Sequence, residues 1–312
     1  MYKHSLSGHH YDNPCGHTMN KIEFKPLALS AREEYMRYYF AAEERASDYS
    51  FINLWGWHDE RRYEIAFCEN LCWIRLTKNE PHEMWAPVGD WEGVNWKSVL
   101  GKLFPEGAAF SRVPEKLARI LEGNLGSSIE VNDQRSEWEY LYSANEHINL
   151  SGNRFHSKKN LLNQFLKYSP VYEEINNVNI GEIKVFQNEW CRRKNCAKSS
   201  GLMAENAAIE RVLSDWDSLP GIMGGLLRIN GKLAAYTIAE DIGDGTVIIH
   251  FEKGQDSYKG VYQGINQIFL VNSGKFSLVN REQDMGLSGL RQAKLTYNPV
   301  DYIRKYKVKW KG

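Results

Sequence analysis

The sequence has no surplus of charge: 39 basic and 39 acidic side chains cancel across 312 residues. No whole-molecule field therefore draws the chain to nucleic acid or to an anionic membrane, and any polyanion must meet a local patch. Long apolar runs are absent too. Nothing approaches the roughly 18 residues that cross a bilayer, and no charged start followed by an apolar core marks a secretion signal. A cytoplasmic protein, not an integral membrane protein, is expected. Cysteine is sparse: Cys15, Cys68, Cys72, Cys191 and Cys196 make an odd set without the density of a secreted scaffold, which suits reduced thiols. Cys68 and Cys72 lie in a hairpin-like run with no second pair to complete a tetrahedral set, so no metal is expected. Walker spacing, His-Glu-x-x-His and Gly-x-Ser-x-Gly do not occur, which removes P-loop ATPase, zinc protease and serine hydrolase readings.

What is present has globular proportions, 42% hydrophobic and 25% charged, and suffices for one large or two medium domains. The start is polar and aperiodic, with His4, His9, His10 and His17 beside Cys15, and reads as a disordered extension over 1–20 preceding or containing an alternative start at Met19. Two lobes are expected after it, 21–145 and 146–312, each running helices, hairpin, helix, strand. In the first, Ser30 and Glu33 have capping-box spacing before a helix, and Tyr63 to Leu76 reads as a hairpin. In the second, Asn230-Gly231 marks a hairpin inside 225–238, because both residues accept positive φ. Thr246 to Glu252 then reads as a strand, Tyr258 to Asn272 as a helix and Phe276 to Asn280 as another strand. The final strand, Tyr302 to Trp310, alternates Lys305, Lys307 and Lys309 with apolar residues, the pattern of a solvated edge strand.

Two polar clusters end neighbouring strands: Glu252-Lys253-Gly254 and Asn280-Arg281-Glu282-Gln283-Asp284. Ligands of α/β sheets collect beyond such carboxyl ends. Strand alternation puts His250 and Glu252 on one face. Acyl transfer needs a base near the nucleophile and groups that hold the donor's anions. His250 or Glu252 fits the base, with Asp284 as a third catalytic candidate; Arg281 and Lys294 fit the anions, and the helix start near Lys259-Gly260 offers backbone N–H groups. A salt-bridged strand end remains the inert alternative. A second constellation, Arg154, His156, Lys158 and Lys159, precedes a helix and suits phosphate or the acceptor stem of a tRNA. The remaining binding candidates at the strand and helix ends are Lys253, Tyr258, Tyr262, Gln263, Asn280, Glu282 and Tyr297.

Four runs carry a resemblance: 48–55, 139–166 (containing Gly152-Asn-Arg-Phe-His-Ser-Lys-Lys-Asn160), 249–266 (opening Ile249-His-Phe-Glu-Lys-Gly254) and 279–299 (opening Val279-Asn-Arg-Glu-Gln-Asp-Met-Gly286). In them the chain resembles a bacterial family related to the C-terminal catalytic domain of phosphatidylglycerol lysyltransferase. The resemblance implies an α/β (α+β) fold of two tandem GNAT-like lobes, each a mixed, mostly antiparallel sheet flanked by helices, similar to Fem-type aminoacyltransferases. It implies transfer of an aminoacyl group from aminoacyl-tRNA to an amine or hydroxyl on a small molecule, peptide or lipid headgroup, with no cofactor required. Acyl-CoA is the alternative donor. Acetyltransferases hold pyrophosphate with Arg/Gln-x-x-Gly-x-Gly/Ala at a helix start; aligning Gly260 puts Ser257 and Tyr262 at positions that depart from this pattern. A lobed protein that binds ligand without turnover is the third reading.

Overall fold

The computed structural model describes residues 22–312; the extension expected over 1–20 lies outside them. Seven strands open the first sheet: β1 (Lys25–Pro26), β2 (Tyr63–Cys68), β3 (Leu71–Leu76), β4 (Glu83–Trp85), β5 (Val88–Gly89), β6 (Ala108–Pro114) and β7 (Ile129–Asp133). Seven more form the second: β8 (Glu139–Ser143), β9 (Val171–Glu174), β10 (Ile222–Ile229), β11 (Lys232–Asp241), β12 (Thr246–Gly254), β13 (Leu278–Gln283) and β14 (Asp301–Ile303). The last strand, β15 (Lys305–Trp310), returns to the first sheet. Both expected hairpins form where the turn residues accept positive φ: Glu69 (53°) and Asn70 (59°) join β2 to β3, and Asn230 (50°) and Gly231 (76°) join β10 to β11.

Each sheet is antiparallel except for one parallel pair, β4 with β6 and β12 with β13. Helices flank both, giving an α/β architecture of two mixed, mostly antiparallel sheets. The chain crosses between the sheets reciprocally. β8 leaves the first half to lie between β13 and β14, and β15 leaves the second half to lie between β6 and β7. The strand after the parallel pair is thus supplied by the other half in both sheets. β15 is therefore an internal strand, not the solvated edge its lysines suggested. Its Lys307 and Lys309 are exposed, but Lys305 is wholly buried.

One apolar core runs through both halves, from Trp73 and Phe110 of the first sheet to Tyr236, Ile248 and Phe251 of the second, with Trp190, Ile209 and Val212 between. The latter belong to the helices Ile180–Arg193 and Ser200–Ser214. Two local expectations change. Helix Arg32–Ala41 starts one residue beyond a 3-10 turn, Leu29–Ala31, and has no side-chain cap, so Ser30 sits inside that turn and does not close a capping box. Cys191 and Cys196 are joined in a disulfide rather than reduced: the turn after helix Ile180–Arg193 brings their Cα atoms to 5.2 Å, inside the range a disulfide spans. Cys72 is free and buried.

Candidate active site at the splayed strand ends

β12 and β13 pair only through Thr246, Val247 and Ile248 against Leu278, Val279 and Asn280. Beyond that point their ends separate, and side chains bridge the gap. On the other side of β12, Phe251 pairs with Ile238 and Ile249 with Ala239, which leaves His250 as the extra residue of a β-bulge. The bulge breaks alternation, so His250 and Glu252 do not share a face as expected. His250 meets Glu240 and Glu282 on the side of the first lobe; Glu252 meets Arg281 and helix Val261–Asn272 on the opposite side. Arg281 and Glu282, adjacent in β13, diverge in the same way.

On the inter-lobe face the imidazole is clamped between two carboxylates, with Nε2 3.1 Å from Glu240 Oε2 and Nδ1 3.0 Å from Glu282 Oε1. Burial alone would lower its pKa, but the hydrogen bonds to Glu240 and Glu282 raise it to about 9. At neutral pH His250 is therefore an imidazolium in a lock, and it has no free nitrogen with which to accept a proton. Ser50 donates to Glu240, and Asn53 Nδ2 donates to Glu282 Oε1 at 2.8 Å, so residues of the 48–55 run complete the lock from the first lobe. A second buried network adjoins it. Lys305 Nζ bonds Asp48 and, at 2.5 Å, Glu139; Arg112 also bonds Asp48, and Asn280 Nδ2 donates to Glu139 at 2.5 Å.

The outer face carries the second polar cluster. Arg281 donates to Glu252 Oε1 at 3.0 Å, and Asn266 Nδ2 lies 3.5 Å from Oε2. Tyr297 accepts from Gln263 at 3.1 Å, and its ring packs against Tyr142 and His147 while Lys158 Nζ sits 4.2 Å and the Arg281 guanidinium 5.4 Å from its centroid. Lys294 bonds the Arg281 carbonyl. Burial, then the charge of Arg281, lowers the Lys294 pKa to about 8 and pulls Lys158 down as well. His147 is buried beside them. Burial, followed by Arg281, drives it down to about 3, with Asn266 and the Tyr297 backbone pulling the other way, so it stays neutral. Six candidates from the sequence thus meet here: Lys158, Glu252, Gln263, Arg281, Lys294 and Tyr297. Tyr142, His147 and Asn266 were missed, although the first two lie in the 139–166 run and the third closes the 249–266 run.

Other candidates fall elsewhere. Asp284 is saturated: Tyr140 donates at 2.6 Å, Arg291 at 2.8 and 3.0 Å, and the Gly286 N–H at 2.8 Å. Burial opposes ionisation, but these donors win, led by Arg291, and hold its pKa at about 2. It anchors the turn into helix Ser288–Leu295, and no lone pair is left free for a base. Lys253 bonds Glu205 of helix Ser200–Ser214 at 2.6 Å and lies over Trp190; Asn280 and Glu282 belong to the inter-lobe networks. Arg154 pairs with Glu146, whereas His156 and Lys159 point to solvent. Tyr258 stacks edge-on with Tyr168, and burial raises the Tyr262 hydroxyl.

The start of helix Val261–Asn272 is covered. A Cβ on Gly260 would come within 2.1 Å of the Leu161 carbonyl oxygen, and one on Gly264 within 2.1 Å of the Phe165 ring. Glycine here permits close packing of helix His156–Leu166, not the approach of a phosphate.

The family profile described as phosphatidylglycerol lysyltransferase, C-terminal, matches residues 40–309. A conserved protein of unknown function from Bacteroides thetaiotaomicron superposes with a TM-score of 0.85 at 29% identity, covering 93% of this chain and 99% of that one. The C-terminal domain of a putative lysylphosphatidylglycerol synthetase from Agrobacterium fabrum gives 0.62 at 14% identity, covering 90% and 92%. An uncharacterized protein of Mycoplasmoides gallisepticum is 25% identical over 181 residues, and the match spans only 56% of either chain. With the profile covering nearly all the described residues and both sheets in place, this chain belongs to the phosphatidylglycerol lysyltransferase C-terminal family, a family of transferases.

Proposed function

We propose that the chain transfers an aminoacyl group from aminoacyl-tRNA to an amine or hydroxyl acceptor at the outer cluster. The observation that carries this reading is the carboxylate of Glu252 paired with Arg281 at the splayed strand ends, with Lys158 and Lys294 flanking that arginine. In the reaction the acceptor's lone pair forms the bond to the ester carbonyl carbon and the bond to the ribose oxygen breaks. Glu252 takes the acceptor's proton. Lys294, poised near neutral pH, returns one to the departing oxygen, since a group with a pKa near the working pH serves best in proton transfer. Outside the cluster, exposed His156 and Lys159 on one helix and exposed Arg192, Arg193, Lys194 and Lys198 around the Cys191–Cys196 loop offer charge to a nucleic-acid backbone.

The acyl-CoA reading is disfavoured by the packing of Gly260 and Gly264 against helix His156–Leu166. The two donors give opposite results. Protein incubated with a mixture of charged tRNAs should bind them at low salt and accelerate their deacylation, and Glu252→Gln should retain binding while losing the acceleration. Acetyl-CoA at millimolar concentration should leave the melting temperature unchanged. Failure to bind any tRNA at low salt, together with a shift by acetyl-CoA, would reverse the assignment.

A further inference from the structure

Three cations cluster at the outer face around Arg281. Arg281 engages Glu252, Lys158 shares the Tyr297 ring with the Arg281 guanidinium, and Lys294 bonds the Arg281 carbonyl. Two further acids, Glu282 and Asp284, favour the charge on Lys294 from a distance while their hydrogen bonds go to His250 and Asn53 and to Arg291 and Tyr140. The Arg281 side chain is 19% exposed and Lys158 is half-buried, so these cations are only partly solvated. Burial first, and then the charge of Arg281, lowers the pKa values of Lys158 and Lys294. The neutral His147, buried against Tyr142 and Tyr297, adds a polar wall that carries no charge.

We infer that Arg281, Lys158 and Lys294 hold an anionic group, a carboxylate or a phosphate, of the transferred residue or its acceptor, and that the cluster rejects a lysyl side chain. The inference rests on the transferase reading only for the word transferred; the anion site stands or falls by itself. Arg281 presents a planar fork suited to two oxygens, Lys158 and Lys294 supply point charges, and the His147 ring can donate to the ligand without adding to the repulsion. A lysyl ammonium in the same place would meet three like charges and one carboxylate already paired.

Isothermal calorimetry at low salt with three probes tests this: inorganic phosphate, L-glutamate and L-lysine. Phosphate or glutamate should bind, which of the two telling whether the anion is a phosphate or a carboxylate, and lysine should give no heat. Binding at pH 8 should take up protons, seen as a dependence of the heat on buffer ionisation, because an anion favours the charged form of Lys294. Lys158→Met, on the surface of a helix, should weaken the anion about tenfold, the loss expected of one charge-assisted contact. Arg281→Gln should weaken it further. If Arg281→Gln does not fold, Lys158→Met still decides. Lysine binding as well as glutamate, or no anion binding at all, would overturn the inference. Anion binding without consumption of charged tRNA would sink the transfer reading and leave the anion site in place; consumption of charged tRNA without anion binding would do the reverse.

Discussion

Replacing Lys305 by methionine removes the cation that ties the two crossing strands together. Lys305 opens β15 and Glu139 opens β8, and the ammonium bonds Glu139 and Asp48 with no side-chain exposure. Removing one partner of a buried pair costs about 3–5 kcal/mol, because the other charge is left without compensation. The remaining partners set where in that range this change falls. Asp48 keeps Arg112, and Glu139 keeps the Ser47 N–H, the Ser47 hydroxyl and Asn280, so a single carboxylate loses its counter-charge and the middle of the range is expected.

An unfolding entropy of about 2.1 cal/mol/K per residue gives roughly 0.6 kcal/mol per kelvin for a chain of this size. Lys305→Met should then lower the melting temperature by about 5–8 °C in calorimetry at pH 7. Lys307→Met, on the same strand but exposed, should stay within about 0.5 kcal/mol of the parent. The deficit of Lys305→Met should shrink as pH falls toward 4, where a carboxylate without its cation can take up a proton instead of staying charged in the interior. Equal effects of the two substitutions, or a deficit that does not change with pH, would refute the reasoning.

His250, raised to about 9 from its ordinary 6.5, contributes stability that is complete below pH 6.5 and is lost as pH rises through 9. Relative to His250→Gln, the parent should lose on the order of 3 kcal/mol between pH 6 and 10 in urea titrations. The comparison is needed because Lys294, lowered to about 8, titrates in part of that window with the opposite sign. Gly264→Ala should destabilise by about 1–3 kcal/mol in thermal melts, since its methyl would enter the Phe165 ring; an unchanged melting temperature would mean that the helix start is open.

The sequence made the architecture legible wherever local chemistry decides it. Asn230-Gly231 fixed a hairpin because positive φ selects those residues, and the apolar period of Val261, Ile265 and Phe269 fixed the helix that borders the outer cluster. The crossing of β8 and β15 was not legible, because strand pairing across the chain leaves no local signal. Lys305, Lys307 and Lys309 alternate identically in the sequence, and only the carboxylates of Asp48 and Glu139, brought from far along the chain, single out the first. The bulge at His250 escaped for a related reason. It is defined by register against β11, and a one-residue slip turns the following side chains over. The polar strand ends were visible as a site, but which residue faced which lobe was not.

That slip has a functional consequence. Without the bulge, His250 and Glu252 would lie on one face, and the imidazolium would join Arg281, Lys158 and Lys294 in the outer cluster. With it, the charges of the two strand ends are sorted: Glu282 and His250 go to the inter-lobe lock, while Arg281 and Glu252 go to the outer face. Because residues 281 and 282 are consecutive, any loosening of the lock moves the backbone that carries the cluster's guanidinium. Ser50 and Asn53 of the first lobe therefore act on the cluster without touching it, by holding Glu240 and Glu282. The first lobe thus bears on the strand ends through position alone, from the 48–55 run on the face of the sheet opposite Glu252.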